Sequence, residues 1–318
     1  MHIEHLDEWT PDLDALADSS ANATFYHTGT WLRALVTAYP RMSLHALAAV
    51  DEGRPVAFLP YLEARRGFLR SLWSLPFGTY GGPVGEAKAC AELFREYRRE
   101  LSGAGVVGVG CVDYNNVLDA ADWDVTELAT HRVDISGGFD LVWREGFDRR
   151  RRRNLRHAEN LGVTVRRSAE PGDVARFMDV YRERLNHWKA GRGHPESLFR
   201  ALIDGGGDRV RLYVAEHEGD MIGGHLNFFY KHEVIAWYGM TSIRASDTQA
   251  STLLIAAGMR DASAAGFRTY NVGASLGKRS LVEYKESLGG VSYPYRMLRR
   301  QRLGGRVAAL MRRAARPA

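Results

Sequence analysis

The chain has 318 residues, of which 45% are hydrophobic and 25% charged, with a formal net charge of +5; that is enough apolar content for a large core and, at this length, for two domains. No run approaches the ~20 apolar residues of a membrane-spanning helix, and the acidic start "MHIEHLDEWTPDLDALADSS" lacks a signal peptide's basic flank and apolar centre, so a cytoplasmic protein is expected. Two cysteines, Cys90 and Cys111, exclude a disulfide framework and have no partners at metal-ligand spacing, so no metal site is expected.

In chain order, "MHIEHL" predicts a short strand. "TPDLDALADSS" predicts a helix with Pro11 in its first turn, and "TGTWLRALVTAY" a second helix stopped by Pro40. Residues 43–66 form a hairpin turning at Glu52-Gly53. "GFLRSLWSLPF" is a third strand, and the turn-rich "GTYGGPVGE" leads into the helix "AKACAELFREYRREL". "GVVGVGCV" is a buried strand and "VTELATHRVDI" another by alternation. From residue 163 the order repeats. The strand "VTVRR" precedes a helix over 172–188, whose Val174, Phe177, Met178 and Tyr181 share one face, and the helix "PESLFRALI". A hairpin over 209–231 turns at Glu218-Gly219. Next come the strand "EVIAWYGM", a helix over 246–266 opened by a Ser246…Gln249 capping-box pattern, the strand "FRTYNVG", the short helix "SLVEYKESLGG" and the strand "VSYPYRML". "AAVDEGRPV" and "VAEHEGDMI" align, placing Glu52 over Glu218 and Gly53 over Gly219. Such a unit used twice is a tandem duplication. The expected organisation is α/β with mixed sheets: units 1–138 and 163–300, a basic helical connector 139–162 and a basic tail 301–318.

Charge is concentrated in two segments. Residues 149–167 are net +7 and 296–318 net +8, which leaves the remainder at −10. A localised cationic footprint suits a polyanionic ligand, although an arginine-rich helix can equally be a solvated face. In "RRRRRNLRHAENLGV", Leu155, Ala158 and Leu161 form a narrow apolar stripe, and Arg152, Arg153 and Arg156 are candidates for bidentate phosphate contact. No DNA-reading motif is present; contact with RNA would be to the backbone and steeply salt-dependent. The tail "RVAALMRRAARPA" has helical spacing that allows packing, RNA contact or peripheral contact with anionic lipid.

Four stretches, "SLPFGTYGGPV", "RRRRRNLRHAENLGVTV", "YNVGASL" and "EYKESLGG", in this order and spacing, resemble the Fem peptidyltransferase-like and BioF2-like families. These are tandem GNAT acyltransferases, and the resemblance covers roughly residues 20–300. It implies an acyltransferase that moves an aminoacyl group from aminoacyl-tRNA to an amine, on a small molecule or a peptidoglycan precursor, without metal or other cofactor. The alternatives are a donor made of acyl-CoA or an acyl carrier protein, and a non-catalytic RNA- or membrane-binding protein that kept the fold. Resemblance also puts a lysine like Lys285 at the active site, where an ammonium would steady a developing oxyanion or hold a phosphate; as a bare sequence feature it could be a surface lysine. Its neighbour Tyr284 is a further contact candidate.

On the strand after Gly219, His225 and Asn227 share a face. His225 could accept a proton from the amine or be structural. Trp237 and Tyr238 alternate on the next strand, and one of them should face the site. Tyr80 in "TYGGPVG" is expected to point into the cleft. "GASLG", Gly273 to Gly277, has the spacing of a nucleophile elbow, but no aspartate or histidine follows Ser275, and a hydrolase triad is excluded. Acyl-CoA enzymes of this fold usually carry a glycine-rich turn before the helix that follows the fourth strand. Here that turn reads "SIRASDTQASTLL", and Asp247 opposes a pyrophosphate.

Overall fold

The computed structural model describes residues 1–168, 170, 172–189 and 193–302; most of the expected basic tail lies outside the described residues. The described residues divide into two compact units, residues 1–128 with those from 294 onward, and residues 129–293.

Unit 1 begins with β1 (His2–Leu6), α1 (Pro11–Ser19) and α2 (Gly29–Ala38), followed by β2 (Met42–Asp51), β3 (Arg54–Arg66), β4 (Leu69–Ser74) and the short β5 (Val84–Gly85). It continues with α3 (Ala87–Arg99) and β6 (Val106–Asp113). Strands β1 to β4 are joined antiparallel in chain order, and β4 lies parallel to β6. Leu47, Leu59, Leu72, Leu93, Phe94 and Tyr97 form the core between the sheet and α3. Cys90 and Cys111 are buried free thiols.

Unit 2 takes the end of β7 (Asp124–Asp134), then α4 (Phe139–Leu141), a π-helical turn (Val142–Gly146), α5 (Arg149–Asn160), β8 (Thr164–Arg167), α6 (Asp173–His187) and α7 (Glu196–Gly206). After these come β9 (Val210–His217), β10 (Asp220–Tyr230), β11 (Glu233–Thr241), α8 (Ala250–Ala264), β12 (Thr269–Ala274) and α9 (Arg279–Glu286). The sheet repeats that of unit 1: β8 to β11 are joined antiparallel, and β11 runs parallel to β12.

The sixth strand of each unit comes from the opposite half of the sequence. Residues 296–301 of β13 (Val291–Gln301) pair antiparallel with β6, and residues 130–134 of β7 pair antiparallel with β12. Compact units defined by contact therefore cannot follow a single linear cut.

The duplicated hairpin turns agree with the sequence alignment. Glu52 and Gly53 have φ of 47° and 77°, and Glu218 and Gly219 have 54° and 87°. Two successive left-handed residues make a type I′ turn, whose twist matches that of the flanking strands.

The basic helix α5 is a packed member of unit 2. Asp148 caps it by accepting the Arg151 amide at 2.6 Å, and Leu155 and Ala158 enter the same core as Leu253, Leu254 and Met259 of α8. Leu161 lies outside that stripe and is exposed. The helix expected from Ser246 starts instead at Ala250, after a left-handed Gln249. Turn bonding wins over the capping box there: Thr248 Oγ1 donates to the Ala245 carbonyl at 2.7 Å, and Asn154 of α5 donates to Gln249 Oε1 at 2.7 Å. No described helix is long and apolar enough to cross a membrane.

Candidate active site

The parallel strands β11 and β12 pair over Glu233–Ile235 and Thr269–Asn271. Past this point each strand departs from regular geometry. In β11, Leu226 opposes Tyr238 while Asn227 opposes Ala236, which makes Trp237 the extra residue of a bulge. In β12, Gly273 takes φ +78°, and its amide donates to Asn271 Oδ1 at 2.9 Å. Asn271 Oδ1 also accepts the Thr130 hydroxyl of β7 at 2.6 Å. The two strands thus form a fork whose stem is hydrogen-bonded and whose arms are shaped separately.

Lys285 closes the base of the β12 arm. It projects from α9, is 8% exposed, and donates from Nζ to the carbonyls of Gly273 at 2.8 Å and Ala274 at 2.7 Å. Burial pushes its pKa down to about 8, because the interior disfavours the charged form. The ammonium is fixed by two acceptors and retains a third donor. His131 of β7 lies near enough for Lys285 to lower its pKa, after the larger effect of burial. Its ring is 2% exposed, and neither nitrogen has a hydrogen-bond partner among the described residues. "ATHRVD" gave no reason to choose this histidine, since only its place opposite the β12 distortion brings it to Lys285.

The α9 end that carries Lys285 is attached directly to the start of α5. The Asp148 amide donates to the Ser287 carbonyl at 2.9 Å, and Phe147 and Leu288 form an antiparallel bridge. Gly146 and Gly289 make this approach possible, since a Cβ on Gly289 would lie 2.8 Å from the Gly146 Cα. The arginine run and "EYKESLGG", separated by more than a hundred residues, are therefore neighbours.

The arginines of the run have different surroundings. Arg152 is directed inward to the backbone, with Nη1 donating to the carbonyls of Arg144 and Phe147, each at 2.7 Å, and of Trp143 at 3.3 Å. It closes the π-helical turn. Arg153 is exposed, and Arg156 is exposed above the Trp143 ring at 5.7 Å. Arg151, not among the sequence candidates, is 9% exposed; its Nε donates to Ser287 Oγ at 2.9 Å, and its guanidinium lies 4.6 Å from the Tyr284 ring centroid. A sequence signal for it existed: 151, 155 and 158 share a helical face, so Arg151 continues the Leu155–Ala158 stripe by one turn.

His225 is 6% exposed, and burial pushes its pKa down to about 4. Its ring packs over Gly239, where a Cβ would come within 2.9 Å of it. The ring is neutral at physiological pH and a weak proton acceptor. Asn227 is fully buried and faces Tyr270 and Gly258. The expected alternation of Trp237 and Tyr238 is broken by the bulge. Their rings lie 5.1 Å apart, and both contact Phe199 and His194. Tyr80 belongs to unit 1 and is packed, stacked on Tyr114 at 3.7 Å and edge-on to Tyr26 and Tyr295.

Comparison with known proteins bears on the fold. Residues 146–286 match the family described as Acetyltransferase (GNAT) domain, a segment that runs from the π-helical turn through Lys285. No curated protein matches the chain in sequence. Among solved structures, FemX superposes with a TM-score of 0.68 at 14% identity, covering 92% of this chain and 96% of FemX. L-PGS from Bacillus licheniformis gives 0.60 at 14% identity, covering 97% and 98%. A tandem GNAT protein from the clavulanic acid biosynthesis pathway gives 0.57 at 13% identity, covering 94% and 98%. The fold of this chain is that of the tandem GNAT acyltransferases, as the sequence resemblance implied.

Proposed function

We propose that the protein is an N-acyltransferase that moves an aminoacyl group from aminoacyl-tRNA to an amine acceptor, with its reaction centre at the β11–β12 fork of unit 2. The observation that carries this reading is Lys285, a buried ammonium anchored on two carbonyls of the β12 arm.

Amine attack on the donor ester makes a C–N bond and turns the carbonyl oxygen into an oxyanion. The third N–H of Lys285 is the donor for that oxygen, and because it is already fixed it needs little reorganisation during the reaction. Collapse breaks the C–O ester bond. The proton lost by the amine ends on the departing ribose oxygen. His225, with its pKa near 4, gives little driving force as an intermediary, so transfer within the donor is the simpler route. The acceptor is an amine-bearing small molecule or a peptidoglycan precursor.

The turn before α8 supports tRNA over acyl-CoA. It has no glycine pair, Asp247 lies within it, and Asn154 of α5 is bonded to the residue at the helix start. The match to the GNAT domain over residues 146–286 favours acyl-CoA as the second reading. Incubation of the protein with tRNA charged with labelled amino acid and a panel of amines tests the choice. Transfer that RNase abolishes is the expected result. Label moving only from acyl-CoA, with thermal stabilisation by CoA and none by tRNA, would replace this reading with the second.

A further inference from the structure

We propose that Arg151 is the receptor for an oxyanion of a bound substrate, a phosphate or a carboxylate, held beside Lys285. The inference rests on the reading of Lys285 as the reaction centre and adds the group that fixes the substrate there.

Three observations carry it. Arg151 is nine-tenths buried, yet its guanidinium enters no ion pair among the described residues; its one hydrogen-bond partner among them is the neutral Ser287 hydroxyl. Asp148, the cap of its own helix, accepts the Arg151 backbone amide on Oδ1 and forms no ion pair with the guanidinium. Burial lowers the guanidinium's pKa, with Arg150 also lowering it and Tyr284 and Asp148 acting the other way. A buried cation without a counter-charge is costly, and such charges are normally paired.

The second observation is rigidity. The Nε bond to Ser287 and the Tyr284 ring beneath the guanidinium fix its plane, and a fixed fork matches two oxygens of one phosphate or carboxylate. The third is position. Tyr284 on α9 and Ser287 just past its end stand on either side of Lys285 in the chain, so an anion on Arg151 is tied to the element that carries the oxyanion donor. The other arginines do not combine these features: Arg152 is occupied by backbone carbonyls, and Arg153 and Arg156 are exposed.

The anion has two possible sources, a phosphate at the nucleotide end of the donor or an acidic group on the acceptor. Thermal-shift titrations of the full chain with inorganic phosphate, adenosine 5′-monophosphate and acetate distinguish them. We expect phosphate to raise the melting temperature of the wild type, and Arg151→Gln to weaken that binding at least ten-fold. Arg149→Gln, which alters an exposed arginine, should leave it unchanged. Adenosine 5′-monophosphate binding more tightly than phosphate assigns the site to the donor; acetate binding more tightly assigns it to the acceptor. Without ligand, Arg151→Gln should melt at or above the wild type, because an unpaired buried charge has been removed. If Arg151→Gln does not fold, Ser287→Ala, which frees the guanidinium but keeps its charge, should weaken phosphate binding several-fold. No shift with any of the three anions in the wild type overturns the proposal, as does unchanged binding in Arg151→Gln or, should that variant not fold, in Ser287→Ala. Binding without acyl transfer would leave this site standing and remove the reaction; transfer without anion binding would do the reverse.

Discussion

The two units share one strand order but treat the same junction differently. In unit 2 the parallel pair β11–β12 is bonded over three residues of each strand before bulge and bend shape the two arms. In unit 1 the corresponding pair is bonded from Arg70 opposite Val106 through Ser74 opposite Cys111. Beyond this the ladder is extended by Gly81, whose amide donates to the Val112 carbonyl at 3.0 Å. Tyr97 of α3 adds a clamp: its hydroxyl accepts the Ser74 amide at 3.0 Å and donates to the Gly110 carbonyl at 2.8 Å. The parallel backbone ladder continues further in unit 1 than in unit 2, where side chains of Asn271 and Lys285 bond the backbone of the β12 arm instead. A duplicated fold can thus keep two cores while only one copy retains an open junction, which is why the proposed chemistry is assigned to unit 2.

The largest expected effect tests that assignment. Lys285→Met should lower the rate of acyl transfer by about 10²–10³-fold, the usual loss when one oxyanion donor is removed, as read by single-turnover kinetics. The same lysine should leave a pH signature in stability. Its folded pKa of about 8 lies below its ordinary 10.5, so between these values the unfolded chain binds more protons than the folded one. Stability contributed by this group therefore rises with pH across that window, by at most about 3 kcal/mol. Urea melts at pH 8 and pH 10 should show the rise in the wild type and its loss in Lys285→Met. A rate unchanged by the substitution would take the reaction away from the fork.

Next in size is the closure of unit 1. A Cβ on Gly81 would lie 1.9 Å from the Ser74 carbonyl oxygen, so Gly81→Ala must push the 79–82 segment off β4. Overpacking of this kind costs about 1–3 kcal/mol, visible as a lowered urea midpoint. The rate per folded molecule should stay at the wild-type value. A drop in rate with no change in stability would mean that the closed junction also serves the reaction.

The duplication was legible because its marks are local: Glu-Gly turns at equal places, helical stripes and buried strand runs. Resemblance singles out Lys285, and the structure carries it on α9 with its ammonium bonded to two carbonyls of the β12 arm. What the sequence hid depends on distant pairing. His131 matters only because β7 pairs with β12, and the exchange of sixth strands between the halves cannot be read from linear order. The bulge at Trp237 defeats the period-two reading because a single added residue shifts every following side chain by one face. Arg151 was hidden differently. Five successive arginines offer no contrast by type, and only the phase of the apolar stripe separates the buried one from its neighbours.

The smallest expected effect asks where the two units should respond alike. Gly53 and Gly219 occupy the second left-handed position of matching turns, and a Cβ on either would meet nothing within 4 Å. The cost of alanine is then backbone strain alone, of order 1 kcal/mol. Gly53→Ala and Gly219→Ala should lower the urea midpoint by similar amounts. Their double variant should show the sum, because separate sites that share no partners are additive. A large inequality would show that one hairpin is held by more than its turn, and the likeness between the copies would then stop at topology.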